Sequence, residues 1–456
     1  MKPLYDKTEL KKNELLYPKK AMIALLIPAV VEQLLNSAMG MVDSVMVSNV
    51  GSEAISAVSL VDTVNTLIIQ VFSAMATGAA IICSHYLGAG DKKSANEAAR
   101  QIFLTVLVIS CGLMAIGLAV QNPLLMLIFG DIEEDVMEKS QQYFLFSLLS
   151  YPFIALFSMG SAFFRSGGNS KFPMRISILS NVINVGGNAI LIFACGLGVR
   201  GAALATLLSR AFCAVVIMAA LRQPKQDIVL TGYFKIHPDF KIIGKVLSIG
   251  IPAGVENGMF QFGKLAIQST VSTLGTAAIA AQAMTNIFEN LNGVFGGGVG
   301  IALMTMVGQA IGAGRKEEAK YYVVKNVEIS IIGIAASCLL VWGISKPVMW
   351  LASMEEESAA LCYAMLTAIT IYKPLVWSFS FTLPAGMRSA GDVKFTMIVS
   401  TITMWTVRVA SCIVLIRVFG LGPMAVWYAM FADWTIRGII FMIRFRSERW
   451  LGKKVI

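Results

Sequence analysis

Long apolar runs follow one another along the chain, separated by short polar breaks. They lie near 21–46, 54–84, 101–120, 141–163, 173–195, 199–221, 246–270, 276–309, 326–345, 359–386, 395–416 and 422–443. An apolar run of about 20 residues crosses a bilayer as an α-helix. Strands of a membrane barrel would alternate apolar and polar positions, and these runs do not. The pattern predicts an all-α integral membrane protein with twelve transmembrane helices. Several runs exceed the minimum length, so those helices tilt or project beyond the lipid. No long soluble segment remains to house a nucleotide-driven motor.

Composition agrees. Hydrophobic residues make up 56% of the 456 and charged residues 14%, against about 25% charged in a soluble domain. The basic start, MKPLYDKTELKKNELLYPKK, leads directly into a long apolar run. A cleaved signal peptide would show a short apolar core and a small-residue cleavage site, so none is expected. The seven cysteines fall in or beside apolar segments without a CxxC pair, and the only histidines are His85 and His237. That reads as packing, with no metal site and no cofactor.

The formal charge of +10 gains meaning from its placement. With the N-terminus cytoplasmic, 28 lysines and arginines fall in cytoplasmic segments and four in outer loops. This asymmetry predicts a multi-pass protein of the plasma (inner) membrane with both termini cytoplasmic. The bases are spread over seven segments, which excludes nucleic acid as a partner. The acidic clusters at 131–139 and 355–357 fall on the outer side.

The chain also repeats itself. At a shift of 224, IPAVVEQ (27–33) lies over IPAGVEN (251–257), VGSEAISAV over LGTAAIAAQ, and LGAGDKKSAN (87–96) over IGAGRKEEAK (311–320). RSGGNSKF (165–172) matches RSAGDVKF (388–395), and GLG recurs at 196–198 and 420–422. A register of 224, with one match at 223, held over most of the chain marks a duplicated unit. Six spans per unit return the chain to the same side, so two six-helix bundles, 1–225 and 226–456, are expected to be related by a pseudo-twofold axis along the membrane normal. Transporters are often built this way, with the substrate site between repeats near the midplane.

MVDSVMVSNVG (41–51), HYLGAGD, GQAIGAGR, FRSGGNSKF, MRSAGDVKF and NVINVGGN (181–188) together resemble the multidrug and toxic compound extrusion (MATE) family. The resemblance covers almost the whole chain. It implies export of organic, often cationic compounds against inward flow of protons or sodium, by alternating access between two six-helix lobes. Two features depart from the family pattern: Asn188 stands where many bacterial members carry aspartate, and Glu32 and Glu256 stand where glutamine is common.

Ionisable residues inside a span cost roughly 2.5–3.5 kcal/mol on insertion scales and mark functional positions. The acids here are Glu32, Asp43, Asp62, Glu256, Glu289 and Asp433; the bases are Arg210, Lys264, Lys373, Arg408 and Arg437. Eleven helical steps from Glu32 to Asp43 return to nearly the same face, roughly 16 Å along the axis. Pro28 precedes Glu32 by four residues, as Pro252 precedes Glu256. Such paired prolines can kink or break helices at a transport site. The alternative for Glu32 and Glu256 is a structural pair with Lys264 or Lys373; for Asp43 it is a cap or ion pair. Asp62 and Asn65 share a face, and Asn286 and Glu289 repeat the pair in exchanged order. Asn181, Asn184 and Asn188 form one stripe, and the resemblance makes it a cavity surface. Sodium is a possible ligand at Asp43 and Asn181. Lys264, whose repeat image is Gly40, can neutralise a carboxylate in one state and release it in another. Asp433 and Arg437, at i and i+4, are expected to pair, with Arg210 and Arg408 structural. GGGVG (296–300) permits either a close approach or a bend.

The sequence thus predicts a monomeric secondary antiporter for small organic, cationic compounds, in contact with membrane lipid. A carboxylate buried away from a cation takes up a proton more readily, which supplies the coupling step. The rival is a lipid-linked precursor or polysaccharide flippase, which would want a strongly basic cavity. The major facilitator architecture is also six plus six, but its basic loop signature is absent from LGAGDKKSAN. No nucleophile–base set or phosphate loop points to an enzyme.

Overall fold

The structure, a computed structural model, describes residues 4–12, 14–130, 132–232, 237–453 and 455. Lys2, Lys235 and Lys454 of the basic set and Asp131 of the outer acidic cluster lie outside the described residues. Among the described residues there is no strand. A short helix, Lys7–Lys12, precedes twelve long ones. These are α1 (Lys19–Ser48), α2 (Ser52–Gly88), α3 (Lys92–Phe129), α4 (Glu134–Ser166), α5 (Lys171–Ala194), α6 (Gly198–Ala220), α7 (Phe240–Val271), α8 (Thr276–Gly312), α9 (Lys316–Leu351), α10 (Glu356–Ser389), α11 (Val393–Arg417) and α12 (Met424–Arg446).

Each long helix contains or nearly coincides with one predicted run. Eleven are long and apolar enough to cross a bilayer. The other, α7, has the length at 32 residues, but Glu256, Asn257, Gln261 and Lys264 interrupt its apolar character. α3 and α9 begin at Lys92 and Lys316, well before their apolar runs. Polar residues end a hydropathy signal without ending a helix. Asp91 caps α3 by accepting the Ser94 N–H, and Glu317 and Glu318 favour the positive end of α9.

The chain divides into two compact units, Leu35–Gly254 and Met1–Leu34 with Val255–Ile456. The division falls inside α1 and α7 rather than in the 225/226 loop. Pro28 and Pro252 do not break these helices, which remain helical through both positions. A proline removes one backbone hydrogen bond, and flanking residues carry the helix past it. The irregular turns occur instead in α5 and α11, which contain π-helical stretches at Ala189–Ala194 and Thr403–Val409.

The duplication survives in the backbone. Gly90 and Gly314 have φ of 76° and 74°, and each donates to the carbonyl three residues back, from Leu87 and Ile311. The left-handed turn needs glycine. Gly51 and Gly275, Gly168 and Gly391, and Gly196 and Gly420 are likewise paired at positive φ.

The helix start after Gly90, and its repeat after Gly314, each hold a chain segment that leads into another long helix. In the unit 35–254, Lys92 pairs with Asp227 at 2.7 Å, and Asn96 Oδ1 accepts the Val229 N–H at 2.8 Å. Gln101 donates to the His237 carbonyl and accepts the Asp239 N–H. In the other unit, Glu317 accepts the Asp6 N–H at 2.7 Å, Glu318 the Leu16 N–H at 2.6 Å, and Arg315 donates to the Glu14 carbonyl at 2.8 Å. The repeated motif therefore anchors the segment leading into α7 in one unit and the segment leading into α1 in the other.

The unit 35–254 packs α2, α4 and α6 through small residues, including Ala54, Ala57, Ala202, Ala203 and Ala205, all buried. The other unit is built around α8, α9, α10 and α12, with Trp427, Trp434 and Trp450 fully buried. Its GGGVG stretch serves close approach. A Cβ at Gly298 would lie 2.6 Å from Val30 Cα, and one at Gly296 would lie 2.2 Å from the Trp377 ring. Gly298→Leu is expected to destabilise the protein by at least about 1–3 kcal/mol, read as a lower unfolding temperature in detergent micelles. An unchanged temperature would contradict the contact.

Candidate functional site

In the unit 35–254, Asp43 lies near the end of α1 and is half-buried. Asn188 Nδ2 donates to its Oδ1 at 2.6 Å. Asn188 also approaches Asn184 Oδ1 at 3.4 Å, and Asn184 Nδ2 donates to Thr206 Oγ1 at 3.2 Å. Asn184 and Asn188 are one turn apart on α5 and fully buried. The π-helical stretch begins at the next residue, Ala189; such stretches are frequent at functional sites. Asn188 Oδ1 is buried without a hydrogen-bond partner.

A second group surrounds Asp62 on α2. Its Oδ1 accepts from Asn65 Nδ2 at 3.2 Å and Tyr143 OH at 3.5 Å. Asn65 in turn donates to Ser147 Oγ at 3.2 Å and accepts from Tyr151 OH at 3.0 Å. Arg210 of α6 donates to Ser150 Oγ at 2.7 Å, and its charge acts on both Asp43 and Asp62. Among the described residues, neither carboxylate makes a salt bridge within 4.0 Å. Amides and hydroxyls hold both.

The other unit treats its acids differently. Lys373, fully buried, donates to Glu289 Oε1 at 2.7 Å and to the Glu289 carbonyl at 2.9 Å. Arg388 donates to Glu256 Oε1 at 3.0 Å. Asp433 accepts from Arg408 Nε at 3.0 Å and NH2 at 2.5 Å, with Arg437 3.5 Å away. Glu32 is buried in the first part of α1, at 7% exposure. Lys264 is exposed on α7.

The sequence-predicted residues therefore separate. Asp43, Asn184 and Asn188 come together in one hydrogen-bonded chain, and Asp62 and Asn65 in another. Asn181 donates to the Ser177 carbonyl of its own helix at 2.9 Å and lines a shallow groove with Val182, Val185 and Gly186. Glu256 and Glu289 are paired with bases, Glu256 with Arg388 rather than with Lys264 or Lys373. Asp433 does meet Arg437, but Arg408 is the closer partner.

Sequence reasoning missed Tyr143, Ser147, Ser150, Tyr151 and Thr206. The first four form an i, i+4, i+7, i+8 stripe on α4, a polar face legible by helical spacing. The long-range pairings of Arg388 and Lys373 left no local signal.

Paired and unpaired acids differ in what they contribute to stability. Asp433→Asn leaves two buried guanidiniums short of a counter-charge and is expected to cost about 3–5 kcal/mol. Asp43→Asn keeps a hydrogen-bonding side chain and breaks no salt bridge, so it should cost no more than about 1 kcal/mol. Thermal unfolding of both variants in micelles tests this; equal losses would contradict it.

Comparison with known proteins adds family membership. A relative from Thermotoga maritima, named probable multidrug resistance protein NorM, is 24% identical over 99% of this chain and 97% of its own. The uncharacterized transporter YisQ of Bacillus subtilis is 27% identical over 95% of each chain. A solved MOP superfamily transporter from Pyrococcus furiosus, described as having a binding pocket of reverse polarity, superposes with a TM-score of 0.89 at 20% identity. It covers 96% of this chain and 97% of its own. This likeness fixes the fold as that of a twelve-helix, two-lobe membrane transporter. The MatE family profile matches twice, at residues 28–190 and 252–414, in the register of the internal repeat. Two matches that together cover most of the sequence leave one conclusion: the chain belongs to the MatE family.

Proposed function

We propose that the protein is a secondary active antiporter of the plasma membrane, with both termini cytoplasmic. It exports small organic compounds, including multidrug-type cations, in exchange for protons or sodium. The observation that carries this reading is the difference between the two sets of acids. Asp43 and Asp62 are held by neutral donors, whereas Glu256, Glu289 and Asp433 each have a base within 4.0 Å. Only a carboxylate without a fixed counter-ion can gain or lose charge cheaply as an ion arrives.

Loading Asp43 with a proton or sodium ion removes its attraction for a cationic cargo, which then leaves. Release of the ion on the other side restores the charge and the affinity. Such a cycle works only because each ligand binds the two states of the transporter unequally. Sodium prefers oxygen ligands, as hard cations do. Asp43, the unpartnered Asn188 Oδ1, Asn184 Oδ1 and Thr206 Oγ1 form such a set, with Asn181 one turn away on the same helix. The repeats 1–225 and 226–456 are the lobes that alternate. The relatives' multidrug names support the cargo class.

Purified protein in proteoliposomes, given a cationic dye and separately imposed proton and sodium gradients, provides the test. Wild-type protein should drive efflux with at least one gradient, and Asp43→Asn should abolish it. Full ion-driven efflux by that variant would refute the assignment.

A further inference from the structure

Between α10 and α12, within the unit formed by Met1–Leu34 and Val255–Ile456, lies a cleft of about 220 Å³ that takes no part in the proposed cycle. Val376 and Phe379 line it from α10; Trp434, Gly438, Ile439 and Met442 line it from α12. Gly438 lets the two helices meet at its floor. A Cβ there would lie 3.2 Å from Phe379 Cβ, and glycine is otherwise unfavourable inside a helix. The cleft opens on an apolar surface. The exposed side chains that flank the two walls are Ile371 and Leu375 on α10 and Ile436 and Ile443 on α12, and Ile439 itself is 55% exposed. A wall of a water-filled cavity would carry polar groups; this one faces hydrocarbon.

Its depth can be read along α12. Trp434 to Met442 is about 12 Å of helix, and the hydrocarbon of one leaflet is about 15 Å thick. Met442 stands one turn before the helix end at Arg446. The cleft therefore runs through the leaflet on the side of the termini, from near the midplane towards the headgroups. The end it reaches is basic. Gly438, Met442 and Arg446 follow at four-residue spacing and share a face of α12, so Arg446 stands over the cleft. Arg444 is held by Asp392 at 2.8 and 3.1 Å. Glu448, the acid of the following segment, bonds Lys320 at 2.6 Å. Arg446, Arg449 and Lys453 are exposed and, among the described residues, make no salt bridge within 4.0 Å. An apolar slot of leaflet length that ends under free bases has the chemistry of a lipid with an acidic headgroup.

We infer that this cleft is a binding site for an anionic phospholipid, with an acyl chain between α10 and α12 and the phosphate against Arg446. On the orientation proposed above, the lipid belongs to the cytoplasmic leaflet, whose anionic headgroups attract bases at the membrane surface. The chain fills a packing gap between the helices that carry Lys373 and Asp433. It thereby ties the salt-bridged unit to the composition of the surrounding membrane.

Photolabelling decides the matter without transport, so this inference and the export reading fail separately. Full-length protein is reconstituted with phosphatidylglycerol that carries a diazirine midway along one chain, and the adducts are mapped by peptide mass spectrometry. Adducts are expected to concentrate at Val376, Phe379, Ile439 and Met442, above the level at Ile332, an exposed apolar residue of α9. Unlabelled phosphatidylglycerol should compete and phosphatidylcholine should not. Arg446→Gln should cut the cleft adducts about fivefold, the worth of one base at an anionic surface, and Arg446→Lys should keep them. Ile439→Trp, which closes the cleft from its exposed edge, should remove them without lowering the unfolding temperature. Cleft adducts no more frequent than those at Ile332 overturn the inference: they leave annular lipid alone or, where sedimentation shows a dimer, a second copy of this chain. Equal competition by phosphatidylcholine overturns it too, as does competition by the cationic dye in place of phosphatidylglycerol. So do adducts that survive either Arg446→Gln or Ile439→Trp.

Discussion

A charge inside a membrane must be neutralised, hydrated or held by polar groups, and this protein answers that demand differently in its two halves. In the unit that contains α8–α12, Glu256, Glu289 and Asp433 each have a base at hydrogen-bonding distance. In the unit 35–254, Asp43 and Asp62 are held by amide and hydroxyl groups. The paired acids stabilise the helices that carry them and resist any change of charge. The neutral-held acids lack that fixed compensation, and on the proposed mechanism their charge follows an incoming ion. The proposed division between a structural and a responsive set of carboxylates rests on which side chains sit within about 3 Å.

Small residues make this possible. Buried alanines bring α2, α4 and α6 close enough for Tyr143, Ser147 and Tyr151 to reach the Asp62–Asn65 pair. Glycines at 293, 296 and 298 bring α8 against Lys373, Trp377 and Val30. The π-helical stretch after Asn188 widens the turn of α5 beside the amide that bonds Asp43. Neither feature supplies chemistry itself; both set the distances over which the polar groups act.

Much of this was legible in the residues. The twelve helices, the duplication and the two-lobe transporter fold follow from apolar runs and a repeat of fixed register, because lipid imposes a length and duplication imposes a period. The association of Asp43 with the asparagine stripe was half legible. The i, i+4 spacing put Asn184 and Asn188 on one face, but nothing local said that the face meets α1. The fates of Glu256 and Glu289 were hidden for the same reason. Arg388 and Lys373 lie 132 and 84 residues from their partners, and no periodicity links such distant positions. Pro28 and Pro252 misled because a missing hydrogen bond need not interrupt a helix, while the π-helical stretches carry no composition signal.

The central claim is that the carboxylates of the first unit change charge during the cycle and those of the second do not. Infrared difference spectroscopy of the reconstituted protein, on a pH step or sodium addition, reads protonated carboxyl groups directly. The account predicts a carboxyl band that disappears in Asp43→Asn or Asp62→Asn and persists in Glu256→Gln and Glu289→Gln. A band that survives both aspartate substitutions and vanishes with either glutamate would contradict it.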